Sequence, residues 1–327
     1  MSKKTDRGRE WFRLFSVKGL GPKRLHRIHA ILASSGADVA EILRADWSDF
    51  QRLLPEFNRA MFDAIQELDV DQVQREYDRL IDEGVTVIHL GHEDYPETLR
   101  QRLEDSAPPL LFCKGNTRLL QSPGIAIVGS RNASEKGLAL ASHFAGELAR
   151  RGKNVISGYA RGVDTAAHLG ALKEDGTTSI VLSSGILDFS PRTGFEDVDW
   201  KQSVLGISQF HPGERWSARN AMIRNKLVCG LAQAVLVIEA AKEKDERGKM
   251  SGTFDAGKTA LQMGIPLFVL SPQSLGCSPE GNQQLIDKGG IEVNEQSAVA
   301  TILEQLPEPA RFSNGEKGTR QCSFFPE

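Results

Sequence analysis

Residues 124–168 constrain the fold more tightly than any other part of this chain. They read GIAIVGSR, a helical run, and then NVISGYARGVDTAAH. Two short buried-strand patterns, Ile125–Val128 and Asn154–Ile156, each end in small residues followed by an arginine, and each then opens a helix. Strands of this kind belong in an open α/β sheet, where the loops at the carboxyl ends of adjacent strands share one crevice. Helix N-termini in such a crevice offer unbonded N–H groups and a positive dipole end, both suited to phosphate. Arg131 and Arg161 would stand at its rim, each able to hold a phosphate with two hydrogen bonds.

Composition narrows the class. The chain has 327 residues, 40% of them hydrophobic and 25% charged, as in ordinary globular proteins. No apolar run approaches the ~20 residues of a membrane helix, so no membrane partner is expected. The start, MSKKTDRGREWF, has no apolar core of a signal peptide. Four scattered cysteines (Cys113, Cys229, Cys277 and Cys322) form no C-x-x-C pair. That pattern argues against a disulfide framework or a zinc site and fits a reducing cytoplasm. The net charge of −3 excludes a broad basic surface for duplex DNA. Residues 1–31 nevertheless hold nine basic and two acidic side chains, leaving the remainder at −10, so any nucleic-acid contact must be local.

The pattern divides the chain into four pieces. Residues 1–80 read as a helical module in which Gly19-Leu20-Gly21-Pro22 joins two amphipathic runs and is followed by Lys23, Arg24 and Arg27. This resembles a helix-hairpin-helix turn, which holds a DNA phosphate, but it also serves as a packing turn. Residues 81–118 read as a connector with strand-like VTVIHLG and APPLLFCKG. A βαβ alternation occupies 119–303, with strands that are mostly apolar on both faces, as a parallel sheet covered on both sides requires. Residues 304–327 are polar and turn-rich, and read as a flexible tail.

Three motif matches fail on context. GSRNASEKG after the first strand lacks the G-x-G-x-x-G fingerprint, so NAD or FAD in the usual mode is not expected. Gly252–Thr259 satisfies G-x-x-x-x-G-K-T but follows a charged loop instead of a buried strand, which a phosphate loop requires. Asp164 and His168 lie four residues apart on one helix but have no adjacent nucleophile. Asp164 is expected to stabilise the helix start, and His168 to pack.

Five motifs occur in one order: GSR at 129–131, SGYARGVDTAAH at 157–168, RNK at 224–226, SG at 251–252, and GCSPEGNQQLIDKGG at 276–290. The string resembles the DprA (Smf) family of bacterial DNA-processing proteins. The resemblance implies an extended Rossmann-like α/β fold, a mostly parallel sheet with helices on both faces, preceded by the small helical module. It implies non-catalytic binding of single-stranded DNA, with no cofactor, no metal and no catalytic residue. A RecA-type recombinase and a second copy of the chain, forming a homodimer, are the partners it implies. Carried over residue by residue, the phosphate-binding set is Gly129, Ser130, Arg131, Ser157, Gly158, Arg161, Gly162, Arg224, Asn225 and Lys226. Lys226 stands where the family carries a second arginine.

The chain also departs from that pattern. GILDFSPRTGFEDVDWKQSVLG replaces a Tyr-Pro-Pro-Glu-Asn type segment, and SGTFDA replaces a Ser-Gly-Ser-Leu-x-Thr-Ala run after a longer charged loop. The winged-helix domain that ends many members is not expected here. In the tail, Gln321, Ser323, Phe324 and Phe325 resemble the pentapeptide that docks replication proteins onto the sliding clamp. Two other classes remain open: a sensor of a nucleotide-derived ligand in the same crevice, and a phosphoribohydrolase-type enzyme. The second is ranked last because the chain has no P-G-G-x-G-T-x-x-E loop.

Overall fold

The computed structural model describes residues 7–276 and 279–306. The chain opens with six helices: α1 (Gly8–Ser16), α2 (Pro22–Ser35), α3 (Val39–Arg44), α4 (Trp47–Leu53), α5 (Arg59–Gln66) and α6 (Val70–Asp82). Their ends follow local chemistry. Pro22 occupies the first turn of α2, where its missing N–H costs nothing, and Gly36 closes that helix in the left-handed region. The side chains of Asp38, Asp46, Asn58 and Asp69 cap the next four helices, each cap contributing about 1 kcal/mol. At the Gly19–Pro22 turn, Arg24 donates to the Gly19 carbonyl (2.6 Å), and Arg27 pairs with Glu56.

The segment expected as a connector belongs to the sheet. It forms β1 (Val85–His89), α7 (Glu97–Leu103) and β2 (Leu110–Gly115). β1 pairs antiparallel with β2, Val87 opposite Phe112. β2 pairs antiparallel with β6 (Val204–Ser208), Cys113 opposite Ile207. The other expected strands are β3 (Gly124–Val128), β4 (Asn154–Ser157), β5 (Thr178–Val181), β7 (Ala234–Val237), β8 (Leu267–Leu270) and β9 (Ile291–Val293). Together they form one nine-stranded sheet in the order β1-β2-β6-β5-β4-β3-β7-β8-β9, parallel from β6 to β9. All residues of β3, β4, β5, β7 and β8 are buried, which explains why β3, β7 and β8 are apolar throughout, while β4 and β5 also bury Asn154, Ser157, Thr178 and Ser179.

The intervening helices are α8 (Glu135–Arg150), α9 (Val163–Lys173), α10 (Trp200–Ser203), α11 (Ala218–Leu231), α12 (Gly252–Gln262), α13 (Pro272–Leu275), α14 (Glu280–Asp287) and α15 (Ala298–Gln305). On one face, Leu99, Leu103, Leu227, Val228, Phe254 and Leu285 bring α7, α11, α12 and α14 onto the sheet. On the other, α8, α9 and α15 cover Ile125, Ile127, Val155 and Phe268. The N-terminal helices share a core with Val85, Val87, Leu110, Phe112, Ile180 and Val204, so they extend the helical cover over the antiparallel end. Phe12 of α1 meets Phe112 of β2 edge to face, 5.9 Å between ring centroids. No helix among the described residues is long and apolar enough to cross a membrane.

Candidate functional site

From β3 the chain builds β4, β5 and β6 outward in one direction, then returns to place β7 on the opposite side of β3. The strand order therefore reverses between β3 and β7, where open α/β sheets bind ligands beyond their carboxyl ends. A crevice of about 510 Å³ opens there, between the loop after β3, the start of α9, the exposed side of α11 and the N-terminus of α12. Among the described residues, four basic side chains line it (Arg131, Arg219, Arg224 and Lys249) against one carboxylate, Asp164.

Its floor is a buried ion pair. The Arg224 guanidinium and the Asp164 carboxylate retain 9% and 7% of their side-chain exposure and approach to 3.9 Å. Burial pushes the Asp164 carboxyl up, opposed first by Arg224 and then by the Ala160 amide, which donates to Asp164 Oδ2 at 3.2 Å. Burial likewise lowers Arg224, and Asp164 opposes it. Gly158 makes room for the pair, because a Cβ there would lie 1.6 Å from Arg224 Nη1 and 2.4 Å from Asp164 Oδ2. Among the described residues, Arg224 Nε is buried without a hydrogen-bond partner. Beside it, the Asn225 amide donates to the Gly252 carbonyl (3.0 Å) and to Asp255 Oδ2 (2.9 Å), tying α11 to the start of α12.

The two arginine loops meet backbone to backbone. Gly162 has φ +87°, and a Cβ there would lie 2.4 Å from the Ser130 carbonyl. The Val163 amide donates to that carbonyl at 3.2 Å. Gly129 is held as closely, against Val163. Arg161 is exposed and donates to Asn132 Oδ1 (3.2 Å), so the two predicted arginines project from one joined surface. Arg131 lies over the Trp216 ring, 5.5 Å from its centroid.

The helix N-termini do not all match the sequence-based expectation. At α8 the position is already taken by the chain itself: Glu239, just beyond β7, accepts from the Ser134 amide (3.0 Å) and hydroxyl (2.8 Å). A carboxylate there satisfies the same dipole that a phosphate would. At α12 the Ser251 hydroxyl accepts from the Phe254 amide, while Gly252 and Thr253 face the crevice. The G-x-x-x-x-G-K-T match is thus the first turns of α12, with Gly257 packed on Leu285 and Lys258 paired with Glu243.

Ser130, Arg131, Arg224 and Asn225 line the crevice with Gly129, and Arg161 and Gly162 stand beside it. Three of the expected residues have other surroundings. Ser157 is fully buried and donates to the Ile127 carbonyl (2.6 Å), and Gly158 lies beneath Arg224, so both support the loops from below. Lys226 is exposed and is not among the lining residues, because two further positions along α11 turn it about 200° away from Arg224. His168 packs as expected, fully buried between Thr178 Oγ1 and the Gly158 carbonyl, each 2.6 Å from a ring nitrogen. The tail residues Gln321, Ser323, Phe324 and Phe325 lie outside the described residues.

Sequence reasoning passed over Arg192, Trp216, Arg219 and Lys249. Arg192 lies over the Tyr159 ring at 4.3 Å, donates through its backbone to the Tyr159 hydroxyl (2.6 Å), and reaches Thr165 Oγ1 at 3.3 Å. It extends the basic edge past α9, inside the segment that departs from the expected pattern. The available signal was the placement of Trp216 and Arg219 in a polar stretch, ERWSARN, just before the RNK motif. Asn282 of the last motif plays a supporting part: it is fully buried, accepts from the Ala240 amide, and donates to the Ile238 and Leu270 carbonyls. It thereby holds the ends of β7 and β8 beneath the crevice. Among the described residues, no group of three or more His, Cys, Asp or Glu is placed to hold a metal.

Residues 86–306 match the family described as DNA recombination-mediator protein A. The DNA processing protein DprA of Streptococcus pneumoniae is 33% identical over 199 residues, covering 61% of this chain and 68% of the relative. The protein Smf of Escherichia coli is 33% identical over 222 residues, 67% of this chain and 56% of the relative. Among solved structures, DNA processing protein A from Streptococcus pneumoniae superposes with a TM-score of 0.74 at 25% identity, covering 92% of this chain and 98% of that one. DNA processing protein A from Helicobacter pylori, described for its single-stranded DNA binding mode, gives a TM-score of 0.55 at 26% identity, covering 68% and 97%.

Proposed function

The chain belongs to the DNA recombination-mediator protein A family, and from that premise we propose that its switch-point crevice binds single-stranded DNA without catalysing a reaction on it. One observation carries this reading. A chain with a net charge of −3 gathers Arg131, Arg219, Arg224 and Lys249 around one crevice, with Arg161 and Arg192 along the adjoining edge. Such a local funnel suits a flexible polyanion. Ser130, Arg131 and Arg161 take backbone phosphates, and Gly129 and Gly162 shape the loops that present them. Arg224 supplies a fixed charge at the floor, held ready by Asp164. The Helicobacter pylori relative, described as binding single-stranded DNA, supports the same ligand. Backbone contacts of this kind position a strand without reading its sequence.

Around this core we place three partners that the family resemblance implies or the tail suggests. Delivery of the bound strand to a RecA-type recombinase and pairing of two copies through the α/β core follow from the family. Docking on a sliding clamp rests on the tail residues Gln321, Ser323, Phe324 and Phe325.

The test is fluorescence anisotropy with labelled single-stranded and duplex oligonucleotides across a salt series, on wild type and on Arg131→Ala/Arg161→Ala. Preference for single strands, weakened by salt and lost in the double variant, is the expected result. Binding untouched by the double variant would move the site to the basic N-terminal module. Tight binding of a mononucleotide with no gain from chain length would replace the DNA reading with a ligand sensor in the same crevice.

A further inference from the structure

We propose that the face between the N-terminal helices and the sheet is a proton-operated joint: mild acid parts α2 and Trp11 from His89 and the turn after β1, while the opposite edge of the face, at His211, stays closed. The joint is independent of what the crevice binds. Among the described residues, four of the chain's seven histidines bridge this face. His26 of α2 donates from Nε2 to the Ala107 carbonyl (2.6 Å). His29, three residues on, lies against Gly91, where an added Cβ would meet its Nε2 at 3.0 Å. Its ring also meets Trp11 of α1, 5.9 Å between centroids. Trp11 in turn stacks on His89 of β1 at 5.6 Å and an angle of 19°. His211, beyond β6, lies parallel to Phe15 of α1 at 6.2 Å.

The backbone fixes where His89 carries its proton. The Gly91 amide donates to His89 Nδ1 at 3.1 Å, so that nitrogen presents a lone pair. A proton on Nδ1 would set N–H against N–H, in a ring that is 7% exposed and stacked on an indole that is 3% exposed. Attraction of an imidazolium to the Trp11 ring offsets part of that loss, but not the broken bond and the missing hydration together. His29 works in the same direction. Burial disfavours its charged form, and Arg100 and His26 both add to that, so its pKa lies below the ordinary value. Such a group supports the closed face above about pH 6.5 and withdraws that support as pH falls.

The other charges on the packed elements are Glu10 and Arg13 on α1, Glu93 and Asp94 after β1, Glu97 on α7, and Glu104 and Asp105 in the turn against α2. Glu97 is taken up by Arg100 at 3.0 Å. The Asp94 amide donates to His92 Nδ1 (3.1 Å) and its carboxylate lies 3.7 Å from the same atom. A proton there loses a donor and gains a carboxylate, so His92 backs His89 edge-on without driving the change. His211 has the opposite sense. Its Nδ1 is 3.5 Å from Glu76 Oε1 of α6, so a proton creates an ion pair across the face. One edge therefore loosens in acid while the other tightens around Phe12 and Phe15. That closed edge stands at the root of the loop that carries Trp216 and Arg219 to the crevice.

The experiment labels the four tryptophans of the full chain with fluorotryptophan and follows each fluorine resonance from about pH 8 to 5, in ordinary and heavy water. The shift between the two solvents reports how far each indole meets water. Phenylalanine at positions 47, 200 and 216 in turn assigns three resonances and leaves Trp11. Trp216, 52% exposed, marks the exposed limit. Trp47 packs on Phe50 and Phe62 within the helical module, and Trp200 on Phe189 and Phe195 in the sheet domain, so they report the two bodies separately. The solvent shift of Trp11 is expected to rise from near zero towards that of Trp216 as pH falls below about 6.5, with Trp47 and Trp200 unchanged. His29→Gln/His89→Gln should remove the transition, and His29→Gln alone should leave a shallower one. If the double variant exposes Trp11 at every pH, the single variant decides. A wild-type curve retained in His29→Gln would overturn the joint. So would a Trp11 signal that stays constant, or one that moves only together with Trp47 and Trp200, which is unfolding of the whole chain.

Discussion

The guanidinium of Arg224 and the carboxylate of Asp164 face each other at 3.9 Å beneath the crevice, in space that exists only because residue 158 is a glycine. An isolated charge at this depth would be costly, so each requires the other. Arg224→Met should therefore destabilise the fold by about 3–5 kcal/mol, by leaving the Asp164 carboxylate unpaired. Asp164→Asn added to Arg224→Met should restore part of that loss. Urea unfolding of the two variants checks this. A single variant as stable as wild type would show that the pair carries no weight. Gly158→Ala should be equally damaging, since the new methyl displaces the guanidinium itself.

Arg192 and Lys226 separate the structural assignment from the sequence pattern. Arg192 extends the basic edge, whereas Lys226 points away from the crevice despite its place in the RNK motif. Arg192→Ala should weaken single-strand binding by roughly tenfold, as expected for one charged hydrogen bond. It should also lower the slope of log K against log salt by about 0.7. Lys226→Ala should change neither quantity. Anisotropy at several salt concentrations distinguishes them, and the reverse ranking would mean that α11 meets the strand on its other side.

Glu239 ties the end of β7 to the start of α8 through its two contacts with Ser134. Replacing it with glutamine removes the charge that faces the helix dipole while keeping the shape. The expected cost is about 1–2 kcal/mol, read from the urea midpoint. A negligible shift would indicate that the Ser134 cap suffices alone.

Acid should weaken the protein through His168. Burial lowers its pKa to about 4, below the usual 6.5, so the folded state resists a proton that the unfolded chain accepts. Its stabilising contribution is complete above pH 6.5 and is lost as pH falls towards 4, amounting to about 3 kcal/mol. Urea unfolding across that interval should show the decline. His168→Gln, which cannot take the proton, should flatten it, and an equally steep decline in that variant would assign the effect to other groups.

The tail gives a simple deletion test. Removing the residues after Gly318 should abolish capture of the chain on an immobilised sliding clamp while leaving single-strand affinity unchanged. Undiminished capture would end the clamp proposal.

Much of the architecture was legible because parallel strands buried on both faces leave mostly apolar runs, and helices covering them leave periodic ones. The runs at Ile125–Val128, Asn154–Ile156 and their successors correspond to strands of the sheet. The small residues and arginines that follow two of them lead to the carboxyl edge. Such local patterns determine which face of an element is buried and where a loop begins. They do not determine which distant element meets it. Only the tertiary structure placed β1 and β2 as an antiparallel extension of the sheet, filled the α8 N-terminus with Glu239, and set Trp216 under Arg131. Within one three-residue motif it buried Arg224, tied Asn225 to α12 and turned Lys226 outward, because a helix rotates each residue by about 100° and the packing around α11 decides which direction is inside.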